Sequence, residues 1–143
     1  MVEQVHISWD EFHKHAKLLA EKIKQTGNYN KIIAISRGGL IPAGIISYEL
    51  DITDTQAINI SSYDNERQKD ASDIIIKAEV GNVDEQTLIV DDLSDTGRTF
   101  QLVRNMYPKA KLVSVYAKPT GVNAVDIYST DAPNKWIVFP WDL

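Results

Sequence analysis

A chain of 143 residues that is 43% hydrophobic and 24% charged has the balance of one globular domain able to bury a core. Its net charge of -5, with Lys and Arg scattered rather than clustered, supplies no basic field for a nucleic-acid backbone. The lack of cysteine excludes disulfides, thiolate metal sites and cysteine nucleophiles.

The N-terminal "MVEQVHISWDEF" has no basic stretch followed by an apolar one, and every apolar run is far too short to span a bilayer. A soluble, cytoplasmic protein without integral membrane contact is the expectation. The first element begins at "SWDE", where Ser8 and Glu11 have the spacing of a capping box. Trp9, Phe12, Ala16, Leu19, Ala20 and Ile23 then recur at helical period, and the helix is expected to close near "QTGN". His13 and His15 lie two apart on it and face different ways; with His6 outside it, none of the three suggests a ligand set.

"KIIAIS" has the β-branched composition of a buried strand, and "RGG" leads from it into the helix-length apolar run "LIPAGIISYEL". "TQAINI" predicts another strand. The polar, aperiodic "SSYDNERQKDASD" that follows predicts a long functional loop. Strands are expected at "IIIKAEV", "TLIV", "KLVSVYAK" and in "NKWIVFPWDL"; "TFQLVRNMYP" predicts a helix with Phe100, Val103 and Met106 on one face. This alternation indicates a single α/β domain over residues 1–143 with a mostly parallel, doubly wound sheet.

Ligands of such sheets sit beyond the carboxyl ends of the strands, which is where "SRGG", "DDLSDTGRT" and "AKP" fall. In the second stretch a buried strand delivers Asp91 and Asp92 to the rim. The turn "SDTGRT" then opens a helix, so its backbone N–H groups and positive dipole end suit a phosphate monoester. Thr96 and Thr99 add hydroxyl donors, and Gly97 lets the backbone come close. Two carboxylates beside a phosphate need another partner, either a sugar diol or magnesium. Taken singly, DTG and SRGG are also compatible with ordinary charged or glycine-rich turns, and Trp136 with core packing.

Together, "LIVDDLSDTGRTF" resembles the phosphoribosyl diphosphate motif of type I phosphoribosyltransferases. "AISRGGLIPAG", "INISSYD", "MYPKAKLVSVYAKP" and "WIVFPWD" are similar, in the same order, to segments of the bacterial xanthine-guanine branch of that family, so the resemblance spans nearly the whole chain. It implies that Asp91 and Asp92 hold the ribose hydroxyls, that Asp92 and Asp142 contact magnesium, and that Asp95, Thr96, Gly97, Arg98 and Thr99 wrap the 5′-phosphate. It further implies that Ser36, Arg37, Gly38 and Gly39 face the diphosphate, with Arg37 and Asp95 the residues closest to catalysis. Lys118 would donate to the 6-oxo group of a purine, Trp136 would stack on the base, and Ile137, Asp95 and Asp142 would complete the purine site. A lysine has donors only, which favours 6-oxopurines over adenine.

The long loop would close over the site from a hinge at Ser62 and Tyr63, with Lys69 reaching the diphosphate and water excluded from the ribosyl centre. A C-terminal hood segment and a homodimer or homotetramer are also implied. Here the sequence departs from the resemblance: the similar family member continues past "PWD", whereas this sequence stops at Leu143, and the departure bears on the roles implied for Asp142 and for oligomer contacts.

Three other assignments share some of these features. Small aspartic proteases also carry DTG but are all-β, and receiver domains have paired acids and a Lys-Pro but place the acids near the N-terminus. The same fold can also serve as a nucleotide-sensing regulator without turnover, since fold alone does not fix function.

Overall fold

The structure is a computed structural model that describes residues 3–61, 75–76 and 80–142. The predicted loop with Ser62, Tyr63 and Lys69 lies outside the described residues, as does most of "IIIKAEV".

The central sheet has five parallel strands. They are β2 (Lys31–Ile35), β3 (Thr55–Ile58), β6 (Thr87–Ser94), β7 (Lys111–Ala117) and β8 (Ile127–Asp131), in the spatial order β3-β2-β6-β7-β8. Helices α1 (Trp9–Lys24) and α2 (Leu40–Leu50) cover one face and α3 (Arg98–Met106) the other. Alternate residues of β2 show why these strands read as continuous apolar runs: Ile32 and Ala34 enter the core under α1 and α2, while Ile33 and Ile35 enter the core under α3. Both sides are dry, so period-two polarity has no place in β2.

Ser8 caps α1 as its sequence requires. Glu11 N–H donates to Ser8 Oγ at 3.1 Å, and Ser8 N–H donates to Glu11 Oε1 at 3.0 Å. The helix buries Phe12, Ala16, Leu19, Ala20 and Ile23, each large side chain contributing about 1.5–3 kcal/mol by leaving water. The α2 span coincides with "LIPAGIISYEL".

Three features differ from the expectations. Strand β6 runs on through Asp91 and Asp92 to Ser94, because Asp91, Leu93 and Ser94 pair with Ser114, Tyr116 and Ala117 of β7. The acids therefore lie within the paired strand rather than just beyond it. Strand β8 gave no sequence signal, since "IYSTD" is a half-buried edge strand defined by pairing to β7 rather than by an apolar run. Finally, the C-terminal hood is shared with the N-terminus: β1 (Gln4–His6) pairs in parallel with β9 (Trp136–Val138) in a separate small sheet. A further short pair joins β4 (Ile60–Ser61) to β5 (Ile75–Ile76), antiparallel.

Candidate active site

The strand order reverses direction between β2 and β6: β2 leads through α2 to β3 on one side, and β6 leads through α3 to β7 on the other. A crevice opens at such a switch point beyond the carboxyl ends of the two strands. "SRGG" follows β2 there, and Asp91 and Asp92 lie in the last half of β6, the latter two residues short of its end at Ser94.

The two segments are packed against each other. A Cβ placed on Gly39 would run into the carbonyl oxygen of Val90 and lie 2.9 Å from both Ile35 N and Ile35 O, so only glycine lets the loop cross the strand. A Cβ on Gly38 would instead meet Asp92 Oδ2 at 2.8 Å, which places the Asp92 carboxylate directly over this loop. The Ser36–Arg37 peptide is cis. Ser36 N–H donates to Ile58 O at 2.9 Å and Gly39 N–H to Ile35 O at 2.8 Å. Of the four backbone donors expected to face an anion, two are thus used by the fold. The Arg37 and Gly38 N–H groups have no acceptor among the described residues, and the Arg37 side chain is exposed.

Asp91 and Asp92 occupy different settings. Asp92 N–H donates to Asp91 Oδ1 at 2.9 Å, while Asp91 lines a cavity of about 80 Å³ with Leu93 through Phe100. Burial pushes the Asp91 carboxyl well up from its ordinary value, and the neighbouring Asp92 charge adds to the rise. Burial likewise raises Asp92, with Asp142 contributing repulsion. No Lys or Arg among the described residues pairs with either acid. Adjoining, half-buried carboxylates without a basic partner suit a hard cation that takes one or two carboxylates and completes its shell with substrate oxygens.

The cavity floor is the start of α3. Gly97, at φ +85°, is its N-cap and supplies no side-chain bond to the first turn. Among the described residues the only side-chain bond to this end is a long one, Arg98 N–H to Thr96 Oγ1 at 3.4 Å. Thr96, Arg98 and Thr99 are exposed around it. An uncapped helix N-terminus flanked by hydroxyls is a phosphate cradle in both charge and donor geometry.

The third predicted segment joins the second. Lys118 is buried, and its Nζ lies 3.3 Å from Asp95 Oδ1. Sequence reasoning missed what holds these two: Lys118 N–H donates to Ser94 O at 2.9 Å, Ser94 Oγ to Gly121 O at 2.7 Å, and Thr120 Oγ1 to Asp95 O at 2.7 Å. A serine ending a strand and a Thr-Gly turn are too common to flag alone.

Trp136 is 60% exposed, which removes the core-packing account of it, whereas Ile137 beside it is buried in the α1–α2 core. Asp142 is exposed, and its charge adds a small repulsion at Asp92. Among the described residues no group of three or more His, Cys, Asp or Glu side chains forms a cage for a metal.

A profile of the phosphoribosyl transferase domain matches residues 3–143. The chain is 44% identical over 138 residues to xanthine-guanine phosphoribosyltransferase of Idiomarina loihiensis, covering 96% of this chain and 86% of that one. Its fold is similar to the crystal structure of a purine phosphoribosyltransferase from Pyrococcus horikoshii, with TM-score 0.82, 30% identity, and 98% and 95% of the two chains covered. It is also similar to xanthine-guanine-hypoxanthine phosphoribosyltransferase of Helicobacter pylori, with TM-score 0.79, 25% identity, and 99% and 95% covered.

Proposed function

Because this chain belongs to the phosphoribosyltransferase family and is a pentosyl-transferring enzyme, we propose that it moves the 5-phosphoribosyl group of phosphoribosyl diphosphate onto a 6-oxopurine. The products are the nucleoside 5′-monophosphate and diphosphate, as in purine salvage. The observation that carries the choice of base is the buried ammonium of Lys118 beside the phosphate turn. It offers donors only, and a 6-amino group would leave it without an acceptor.

In the reaction a purine ring nitrogen forms a bond to the anomeric carbon of the ribose while the bond from that carbon to the diphosphate oxygen breaks. The electron pair leaves with diphosphate, and the purine loses a ring proton. Positive charge grows on the ribose, where Asp91 and Asp92 provide negative potential and acceptors for the two ring hydroxyls. The N–H groups of Thr96 through Thr99 hold the 5′-phosphate at the start of α3, with the Thr96 and Thr99 hydroxyls beside them. Arg37 and the N–H of Gly38 meet the departing diphosphate, with Ser36 and Gly39 shaping that loop. Trp136 stacks on the base, backbone groups at Ile137 border it, Asp142 closes the far side of the purine site, and Asp95 holds Lys118 at the 6-oxo edge and is the candidate acceptor of the purine proton. Magnesium, held by Asp92 and Asp142, would supply positive charge against the diphosphate oxygens. Lys69 keeps its proposed role at the diphosphate, although it lies outside the described residues.

Assembly as a homodimer or homotetramer belongs to the same proposal. It is supported by α2, an apolar helix that leaves Leu40 and Tyr48 45% and 90% exposed. Among the described residues no helix is long and apolar enough to cross a membrane. A cytoplasmic setting goes with a highly charged substrate that does not cross bilayers unaided. The test is diphosphate release from phosphoribosyl diphosphate with guanine, xanthine or hypoxanthine, adenine serving as control. Binding without release for all three would favour a sensor, and equal use of adenine would remove the assigned role of Lys118.

A further inference from the structure

The C-terminal turn and the first helix meet in an aromatic cluster that no step of the proposed reaction uses. Trp141 stacks on Phe139 with ring centroids 4.8 Å apart and planes 3° from parallel. It meets Phe12 edge-on at 4.8 Å and lies 5.8 Å from Trp9. Phe12 is also edge-on to Phe139 at 6.1 Å. Trp9 and Phe12 belong to the first turn of α1, whose start is pinned by the Ser8–Glu11 box, so a fixed surface faces the tail.

Between the two stacked rings the chain reverses. Phe139 N–H donates to Asp142 Oδ2 at 2.9 Å, and Asp142 N–H donates to Phe139 O at 3.0 Å. The turn is thus closed by its own two bonds on one side and clamped by rings on the other. Without the clamp, an exposed acid in this turn would carry only those two local bonds, each worth about 1 kcal/mol net, too little to fix one orientation against chain entropy. Stacked and edge-on aromatic pairs add roughly 0.5–1.5 kcal/mol each beyond the area they bury.

We propose that Trp141, seated against Phe12 and Trp9, is a positioning residue that holds Asp142 toward the purine side of the site. This rests on the reading of Asp142 as a site residue. Helix α1, which carries no group of the reacting centre, acts on the site through this contact, as β1 does through its pairing with β9.

The test is calorimetric binding of guanosine 5′-monophosphate to the full chain without magnesium, so that affinity rather than turnover is read. Asp142→Asn is expected to weaken binding about tenfold, the size of one lost charged hydrogen bond, and Trp141→Ala by about the same factor. Trp141→Phe keeps a ring on Phe139 and is expected to stay within about threefold of the unsubstituted protein. The double variant is expected to bind no worse than Asp142→Asn alone, since both changes remove one interaction. Losses that multiply in the double variant, or Trp141→Ala binding as tightly as the unsubstituted protein, would overturn the proposal. A purely structural tryptophan would lower the melting temperature and leave the affinity of the folded protein untouched. Should Trp141→Ala fail to fold, Trp9→Ala takes its place: at 53% exposure it is expected to leave the core intact and still weaken binding, and full affinity would overturn the proposal. Failure of the unsubstituted protein to bind the nucleotide would instead sink the proposed function, whereas tight binding unaffected by Asp142→Asn would sink the positioning role alone.

Discussion

Lys118 Nζ lies 3.3 Å from Asp95 Oδ1, and of the two side chains the lysine is only 8% exposed while the aspartate is 56% exposed. A buried ammonium is costly unless paired, so the open acid compensates the closed base and points it along the end of β7. Lys118→Ala is therefore expected to weaken use of guanine and hypoxanthine by about ten- to a hundredfold while leaving phosphoribosyl diphosphate affinity nearly unchanged. Steady-state kinetics for the base, set beside calorimetry for the diphosphate, separates the two effects. Equal losses for both substrates would contradict the assignment. Asp95→Asn leaves the ammonium without its acid and is expected to lower discrimination against adenine as well as turnover; full turnover in that variant would end the role of Asp95 as proton acceptor.

Gly38 and Gly39 adjoin in sequence but abut different things, so alanine at each should fail differently. At Gly39 the new methyl meets fixed backbone of β2 and β6, and Gly39→Ala is expected to destabilise the fold by about 1–3 kcal/mol or more. At Gly38 the nearest atoms it meets are those of the Asp92 carboxylate, the end of a side chain, so Gly38→Ala is expected to unfold within a few degrees of the unsubstituted protein but to lose activity as Asp92 moves. Thermal unfolding and diphosphate release measured on both variants check the contrast, and similar melting losses would refute it.

Most of the sheet was legible because the buried stretches of β2, β6 and β7 are dominated by apolar residues, at 32–35, 88–90 and 112–117, the last broken only by Ser114. The positions of Asp91 and Asp92 followed from that, although the pairing of β6 as far as Ser94 did not. Strands β1 and β8 escaped notice because their identity comes from partners, β9 and β7, distant in sequence, and not from their own half-exposed residues. The same limit hid the Ser94–Gly121 and Thr120–Asp95 bonds that bind the phosphate turn to the lysine turn. It also hid the aromatic seat of Asp142, whose rings come from both ends of the chain.

The acid pair should make the free protein less stable as pH rises. Burial raises both carboxyls, so the native state holds their protons more tightly than the unfolded chain does. Between the ordinary aspartate value and the raised native one, folding takes up protons; stability is fully present below that window and lost as pH climbs through it. Asp92→Asn removes one of the two repelling charges. In magnesium-free buffer near neutral pH it is expected to raise the melting temperature by roughly 2–4 °C, a gain of about 1 kcal/mol, with diphosphate release sharply reduced. The gain is expected to shrink as pH falls through the raised carboxyl range and the unsubstituted acids take up protons. A melting temperature that falls at neutral pH, or a gain that persists in acid, would show that Asp92 stabilises the fold and is not held there for the substrate.

Trp136 is the complementary case, a large ring that the fold leaves in water. At 60% exposure it contributes little to the core, while Ile137, the next residue of β9, is buried and anchors the strand. Its backbone is tied independently of the ring, through Trp136 N–H to Glu3 O at 3.1 Å and the register with Gln4 of β1. Removing the ring should therefore leave the backbone in place and delete only what stacks on it. Trp136→Ala is expected to change stability by no more than about 0.5 kcal/mol, as for other exposed side chains. It is expected to raise the KM for the base about tenfold or more, the loss of roughly 1–3 kcal/mol of stacking on a purine. Trp136→Phe, which keeps a flat face, is expected to recover most of that loss, and the KM for phosphoribosyl diphosphate is expected to stay unchanged in both. Denaturant melts and two-substrate kinetics on the pair check this, and an alanine variant that keeps its base affinity would place the purine on some other surface.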